Sequence, residues 1–153
     1  MEAYLSLIPF LVVVFGAAMT GAFFMPGEWY RSLSKPTWTP PDWLFAPAWT
    51  VLYIMIAVAG WLVWQSEGLG TAIIVWSANI IFNAAWSWLM FGRRQIGTAL
   101  LDALAMLLTI IAFVALTRST TPVAALLFLP YLAWVAFASA LNYSIFTMNP
   151  RPV

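Results

Sequence analysis

Five apolar segments, each about as long as a helix that crosses a bilayer, constrain the fold of this chain more than any other feature. Charged residues make up only 7% of the sequence and hydrophobic residues 64%, so a water-exposed surface could not be covered. Strands of a membrane barrel alternate apolar and polar residues, whereas runs such as 103–108 are apolar on every side. We therefore predict an all-α fold, a single domain over residues 1–153, in which five transmembrane helices form an integral membrane bundle. The predicted helices cover about 4–25, 43–64, 71–91, 95–116 and 122–148.

The connection between the first two predicted helices, residues 26–41, is much longer than the other links. The short links are 65–70, 92–94 and 117–121, and they make consecutive helices antiparallel. Several prolines stiffen the long connection, and large apolar side chains make it costly to leave in water. These side chains are Trp29, Tyr30, Leu33 and Trp38. We predict that residues 26–41 form an ordered lid packed over one end of the bundle.

Local signals mark several helix ends. Asp42 is expected to cap the second helix, and Thr121 is expected to cap the fifth, with Pro122 as its first residue. Pro130 cannot donate a backbone hydrogen bond, so a kink is expected in the fifth helix. Glu2 gives the N-terminus an acidic rather than a basic start, which favours a retained first helix over a cleaved signal.

Basic residues are divided unequally between the two predicted sides of the membrane. One side carries Arg118 alone. The side of the lid and the C-terminus carries Arg31, Lys35, Arg93, Arg94 and Arg151. Because cytoplasmic loops are enriched in Lys and Arg, we predict that the lid side and the C-terminus face the cytoplasm of a bacterial cell.

Composition also limits the chemistry that this chain can perform. A net charge of +1 without a basic stripe gives no reason to expect nucleic-acid binding. The absence of Cys and His excludes thiol chemistry, Ser-His catalysis and most zinc or haem ligation. We therefore assign no catalytic residue, no metal site and no required cofactor. Asp102 is the only ionisable residue deep in a predicted helix, and we favour a structural bond to a neighbouring helix, Arg93 or Arg94 over a functional role.

Trp and Asn residues recur at helical spacing within the predicted spans, and the sequence holds ten Trp residues. One face of the third helix carries Trp76, Asn79, Asn83 and Trp86. One face of the fifth helix carries Tyr131, Trp134, Ala138 and Asn142. The second helix adds Trp49 and Tyr53. Interfacial or core packing explains many membrane Trp residues, and Asn side chains often join helices. The alternative is an inward face of rings and amides, which suits a flat apolar ligand with polar edges.

Small residues on the first helix leave a further alternative open. Gly16 with Thr20, and Ala17 with Gly21, each fit the spacing that lets two helices approach closely. The partner of this face is either another helix of the bundle or a second copy of the chain.

The order of these motifs resembles that of the tryptophan-rich sensory protein/translocator protein family, also called TspO/MBR or the peripheral-type benzodiazepine receptor family. The matching segments are Trp29-Tyr30, Lys35-Pro36-Thr37-Trp38-Thr39-Pro40-Pro41, Ala48-Trp49-Thr50-Val51-Leu52-Tyr53, Phe82-Asn83-Ala84-Ala85-Trp86, and Pro130-Tyr131-Leu132-Ala133-Trp134 followed by Ala138. The resemblance spans nearly the whole chain and implies five membrane helices and a homodimer in the lipid bilayer. It implies binding of porphyrins such as protoporphyrin IX, and of isoquinoline and benzodiazepine ligands.

The family's ligand pocket would map to three helices, the second, third and fifth, and to the lid of this chain. The resulting ligand-binding candidates, with the lid residue Trp38 added, are Trp29, Tyr30, Trp38, Trp49, Tyr53, Asn83, Trp86, Trp134 and Ala138. The family's sterol motif is incomplete here, because Leu141 and Tyr143 are separated from Arg151 by too many residues.

We therefore predict a membrane receptor for porphyrins that acts in tetrapyrrole or stress regulation. Its ligand would stack among the rings, and the basic residues of the lid side would reach the ligand's acidic groups. A tetrapyrrole transporter is one alternative. Light-dependent porphyrin degradation is another, and its candidate residues would be Trp49 and Trp134.

Overall fold

The computed structural model describes residues 1–150 and confirms the all-helical prediction for them. Five helical units are long and apolar enough to cross a membrane: Glu2–Phe23, Asp42–Glu67, Thr71–Gly92, Ile96–Thr117 and Pro122–Met148. The elements are α1 (Glu2–Leu5), α2 (Ile8–Phe23), α3 (Glu28–Ser32), α4 (Asp42–Glu67), α5 (Thr71–Ser87), α6 (Ile96–Thr117) and α7 (Pro122–Met148), with a π-helical turn at Trp88–Gly92.

The helix ends agree with the sequence signals at some positions and differ at others. Thr121 occupies the cap position of α7 and Pro122 begins the helix, as predicted, but the Thr121 hydroxyl makes no capping hydrogen bond. The predicted cap at Asp42 is wrong, because Pro41 occupies the cap position and Asp42 lies in the first turn, where its charge favours the helix dipole. The first span is interrupted after Leu5, because Pro9 has no N–H to donate to the carbonyl four residues earlier.

The five spans form a closed ring. Along the ring, α2 packs against α4, α4 against α7, α7 against α6, α6 against α5, and α5 against α2. Helices that follow each other in sequence are therefore not always the closest neighbours, since α4 makes a much smaller contact with α5 than with α7. This order leaves room between α4 and α5, where the candidate site lies.

The core of the ring is packed by aromatic and branched side chains. Phe113 and Phe128 are fully buried and stack with ring centroids 4.0 Å apart. Trp76 is also buried, and its indole N–H donates to the carbonyl oxygen of Ile56 at 3.0 Å. Of the two interpretations of Trp76, core packing is therefore the one that the structure supports.

Gly60 provides the notch that accepts Trp76. A Cβ atom at Gly60 would lie 2.5 Å from the indole ring, so Gly60→Ala is expected to force α4 and α5 apart. Overpacking of this kind costs about 1–3 kcal/mol. Thermal unfolding in detergent should show a lowered midpoint for Gly60→Ala. The matched control is Gly16→Ala, because a Cβ atom there meets no other atom within 4 Å; equal midpoints for the two variants would contradict the notch.

The lid, residues 26–41, contains α3 and folds against one end of the ring. Tyr30 and Leu33 are buried in a cluster with Met90 and other side chains from the ends of the spans. The backbone N–H of Ser34 donates to Asn149 Oδ1 at 3.1 Å, and Asn149 Nδ2 donates back to the Ser34 carbonyl at 2.9 Å. The lid is thus ordered, as predicted, and is tied to the end of α7.

The end of the bundle that carries the lid is called the lid end below. It holds Arg31, Lys35, Arg93 and Arg94, and Arg118 lies at the opposite end. Arg151, which entered the orientation count, lies outside the described residues. The cytoplasmic orientation of the lid end stays a prediction.

Candidate ligand-binding site

A cavity of about 490 Å³ lies beneath the lid. It is called the main cavity here, and all five spans and the lid contribute to its wall. Seven aromatic rings dominate the lining: Phe24, Tyr30, Phe45, Trp49, Tyr53, Trp86 and Phe91. Such a wall offers flat apolar faces to a ligand, with a few polar groups between them.

The main cavity brings together five of the nine predicted ligand-binding residues. They come from the lid and from three different helices, and they are Tyr30, Trp49, Tyr53, Trp86 and Ala138. The role of each in ligand binding stays a prediction, but their meeting at one cavity is a finding. The family resemblance supplied these five residues, and the structure brings them together.

The other four predicted residues lie outside the main cavity. Trp134 lines a smaller cavity of about 30 Å³ beside it, together with Ala138, and Trp49 lines both. Asn83 is buried behind the wall, and Trp29 carries the guanidinium of Arg94 over its ring at 5.9 Å. Trp38 is 45% exposed and packs edge-on against Phe137, so it lies on the outside of the lid.

Trp49 and Tyr53 form one wall of the main cavity because they are one helical turn apart on α4. Their rings stack with centroids 5.4 Å apart and an interplanar angle of 27°. Trp49 also meets the edges of Tyr131 and Trp134, at 6.2 and 6.3 Å. Trp134 therefore supports Trp49 from behind.

A network of amides and hydroxyls fixes this wall from within the bundle. The Tyr53 hydroxyl donates to Asn83 Oδ1 at 3.2 Å, and Asn83 Nδ2 donates to the Tyr131 hydroxyl at 2.9 Å. The Tyr131 hydroxyl donates to Asn79 Oδ1 at 3.0 Å, and Asn79 Nδ2 donates to Thr109 Oγ1 at 2.9 Å. Both Asn residues thus join helices, and Asn83 also positions Tyr53 at the cavity.

The opposite wall is oriented by a second amide. The Trp86 indole N–H donates to Asn142 Oδ1 at 3.1 Å, and Asn142 Nδ2 donates to the Ile96 carbonyl at 3.1 Å. The edge of Phe91 contacts Trp86 with centroids 5.5 Å apart. Asn142 therefore ties α5, α6 and α7 together and fixes the angle at which Trp86 faces the cavity.

One ion pair stands at the rim of the main cavity. Arg31 Nε lies 3.6 Å from Asp42 Oδ2, and both side chains line the cavity while remaining substantially exposed. Lys35 instead donates to the backbone carbonyl of Tyr30 at 2.7 Å, and Arg93 lies over the ring of Trp88. Among the basic residues at the lid end that the structure describes, Arg31 is therefore the one that lines the cavity.

Tyr30 is a lid residue that lines the cavity from above, and its side chain is a neutral phenol. Burial, with a smaller contribution from the charge of Asp42, raises the pKa of Tyr30 to about 12. The ammonium of Lys35 lies 4.7 Å from the centroid of its ring, a cation–π contact that helps to hold the lid.

The expected partnership of Asp102 with Arg93 or Arg94 is wrong. Asp102 is buried, its Oδ2 has no hydrogen-bond partner, and within residues 1–150 the ion pair formed is that of Arg31 with Asp42. Within the same residues, no three acidic side chains are grouped closely enough to hold a metal ion.

Sequence reasoning missed parts of the wall that carry a weaker signal. Phe45 lies one turn before Trp49, so the same spacing argument could have found it. Phe91 lies in the π-helical turn, whose changed pitch cannot be read from an α-helical pattern. The first span contributes small side chains such as Ala18 and Ala22, which leave space and give no chemical signal.

Comparison with known proteins points in one direction. The TspO/MBR family matches residues 7–148 of this chain. The tryptophan-rich sensory protein of Cereibacter sphaeroides is 37% identical over 142 residues, which cover 93% of this chain and 90% of that protein. Protein CrtK of Rhodobacter capsulatus is 36% identical over 138 residues, with 88% and 86% covered. The human translocator protein is 37% identical over 137 residues, with 84% and 81% covered.

Proposed function

Since this chain belongs to the TspO/MBR family of integral, multi-pass membrane proteins, we propose that it binds porphyrins such as protoporphyrin IX in the main cavity. The relatives' names support a sensory or binding role in the membrane, and the proposal adds the ligand class. The observation that carries it is the meeting of Trp49, Tyr53 and Trp86 at one cavity.

The size and lining of the main cavity support a flat, largely apolar guest. A volume of about 490 Å³ falls within the range of small-molecule sites, roughly 300–1,000 Å³. The rings of Trp49 and Trp86 offer faces for stacking, and Arg31 at the rim offers a partner for a carboxylate. We propose that isoquinoline- and benzodiazepine-type compounds compete for the same space.

Titration of the purified protein with protoporphyrin IX tests the proposal. Saturable quenching of Trp fluorescence is expected, because the macrocycle would lie against indole rings. An isoquinoline ligand should displace the porphyrin and restore the fluorescence. Quenching that rises linearly without saturation, as expected when the porphyrin only partitions into the detergent around the protein, would refute specific binding.

Replacement of Arg31 is expected to change the affinity for protoporphyrin IX only modestly. Arg31→Gln should weaken protoporphyrin IX binding by a factor of about 1.4 to 5, since exposed ion pairs contribute about 0.2–1 kcal/mol. The matched ligand is the dimethyl ester of protoporphyrin, whose affinity should be the same for the variant and the unaltered protein. Equal losses for the acid and the ester would show that Arg31 acts on the shape of the cavity rather than on the ligand's charge.

The same preparation separates binding from the two alternatives. Reconstitution into liposomes would reveal a transporter as porphyrin flux that saturates with concentration. Illumination of the complex in air would reveal degradation as a new absorption band that Trp49→Phe removes. A receptor gives saturable binding with neither signal. The homodimer implied by the resemblance is likewise a proposal, and its measurement is the mass of the protein in detergent.

A further inference from the structure

The main cavity has a side mouth between the first two spans. Ala18 and Ala22 of α2, and Ala46 and Thr50 of α4, all line the cavity. Ala22, Ala46 and Thr50 are also exposed, and so are their neighbours Phe23, Pro47 and Val51, which lie outside the cavity wall. Residues that belong to both the wall and the outer surface mark the place where the cavity opens.

The mouth arises from the way in which the first span crosses the bundle. At the end remote from the lid it is joined to α4, because Ser6 Oγ accepts hydrogen bonds from Trp61 Nε1 at 2.8 Å and Gln65 Nε2 at 2.6 Å. At the lid end it packs against the third span instead. A Cβ atom at Gly21 would lie 3.6 Å from Ser87 Oγ, and one at Gly92 would lie 2.8 Å from the Phe24 ring. The first span therefore leaves α4 as it approaches the lid.

The depth of the mouth places it against lipid. The 26 residues of α4 extend about 39 Å, and the hydrocarbon core is about 30 Å thick. If α4 is centred in the membrane, Thr50 lies about 7 Å and Ala46 about 13 Å from the bilayer centre. Asp42, with its partner Arg31, then lies about 19 Å from the centre, at the level of the headgroups. The Thr50 hydroxyl donates to the Ala46 carbonyl at 2.8 Å, so it is satisfied without water.

The lid, in contrast, covers the end of the cavity that faces the aqueous phase, except at the rim where Arg31 and Asp42 line the cavity and remain exposed. The lid residues Tyr30 and Leu33 are buried against the ends of the spans, and the paired hydrogen bonds between Ser34 and Asn149 anchor the lid to α7. Access through the lid would break these contacts, whereas access through the side mouth breaks none of them.

We propose that ligands reach the main cavity sideways from the lid-side leaflet, through a portal formed by Ala18, Ala22, Ala46 and Thr50. The protein then takes amphiphiles already dissolved in the membrane, whose apolar body passes between the helices while an anionic end stays near Arg31. This inference rests on the proposed porphyrin binding. It adds the route and the physical class of ligand.

The absence of Cys from the chain allows the portal to be narrowed after the protein has folded. Ala46→Cys would be reconstituted in liposomes and labelled with a methyl or a benzyl methanethiosulfonate. Protoporphyrin IX association and dissociation would then be followed by Trp quenching. The benzyl adduct should slow association about tenfold and should slow dissociation as well, because a barrier at the entrance is crossed in both directions. The methyl adduct should have a smaller effect.

The matched control is Ala140→Cys, which is exposed on α7 and outside the cavity wall, and its benzyl adduct should leave both rates unchanged. A disulfide between Ser34→Cys and Asn149→Cys, which locks the lid, should also leave them unchanged. If locking the lid slowed both association and dissociation of protoporphyrin IX, and the Ala46 adduct had no effect on them, the portal would be overturned. A rise in dissociation alone at Ala46 would also overturn it, because the adduct would then fill the site. Failure of the proposed function is distinct, since the unlabelled protein would show no saturable quenching.

Discussion

Ala138→Phe is expected to abolish porphyrin binding in a protein that still folds. Ala138 lines the main cavity and also the small cavity beside it that Trp134 lines, so a ring at this position would occupy the space where a macrocycle lies beside Trp49. The expected loss is at least about a hundredfold in Kd, or about 2.7 kcal/mol. Titration with protoporphyrin IX measures this loss, and thermal unfolding in detergent verifies the fold.

Ala140→Phe is the control for this substitution. It adds the same ring to the same helix two residues later, on the exposed face and outside the wall of the main cavity. Its affinity for protoporphyrin IX should equal that of the unaltered protein. A folded Ala138→Phe variant that binds porphyrin normally would place the ligand elsewhere in the bundle.

The membrane fold could be predicted from the sequence because hydrophobic length is a direct consequence of bilayer thickness. The details at helix ends were harder to predict from the sequence. Pro9 interrupts the first span, and the chain changes to a π-helical turn at Trp88–Gly92, although both lie in predominantly apolar segments. These features depend on single backbone hydrogen bonds, which a hydropathy pattern does not report.

From the sequence, the residues of the candidate site could be predicted for one helical face at a time, but not how the faces of different helices meet. The spacing of Trp76, Asn79, Asn83 and Trp86 on one face is real, yet only Trp86 lines the main cavity. Trp76 enters the notch at Gly60, and the two Asn side chains join neighbouring helices. Which member of a face meets the cavity depends on the ring order of the helices and on the small residues opposite, and neither is visible within one segment.

The small residues of the first span illustrate the same limit. Ala17 is buried in the core, and Gly21 approaches Ser87 of the third span, so this pair serves packing within the bundle. A Cβ atom at Gly16 would meet no other atom within 4 Å, and Gly16 is exposed, so its pattern with Thr20 leaves the dimer a prediction. Two overlapping patterns of identical form thus have different environments, which only the packed structure distinguishes.

Trp49→Ala is expected to be the most damaging single truncation of the cavity wall. Trp49 lines both cavities, stacks on Tyr53, and is supported by the edges of Tyr131 and Trp134. Its removal deletes a rigid ring face and the stacking partner of Tyr53. Losses at such aromatic anchors reach about 2–4 kcal/mol, which corresponds to a roughly thirty- to thousandfold weaker Kd for protoporphyrin IX. Trp49→Phe should retain most of the affinity, because a ring face remains.

Trp43→Ala distinguishes the ring face of Trp49 from a general effect of Trp removal. Trp43 lies on the same helix, is 72% exposed, and does not belong to the wall of the main cavity. It should reduce the total fluorescence by one indole without changing the Kd. Because quenching amplitude falls in both variants, the decisive quantity is the concentration at half-saturation. A half-saturation concentration shifted equally by Trp43→Ala and Trp49→Ala would mean that porphyrin responds to the surrounding lipid interface rather than to this wall.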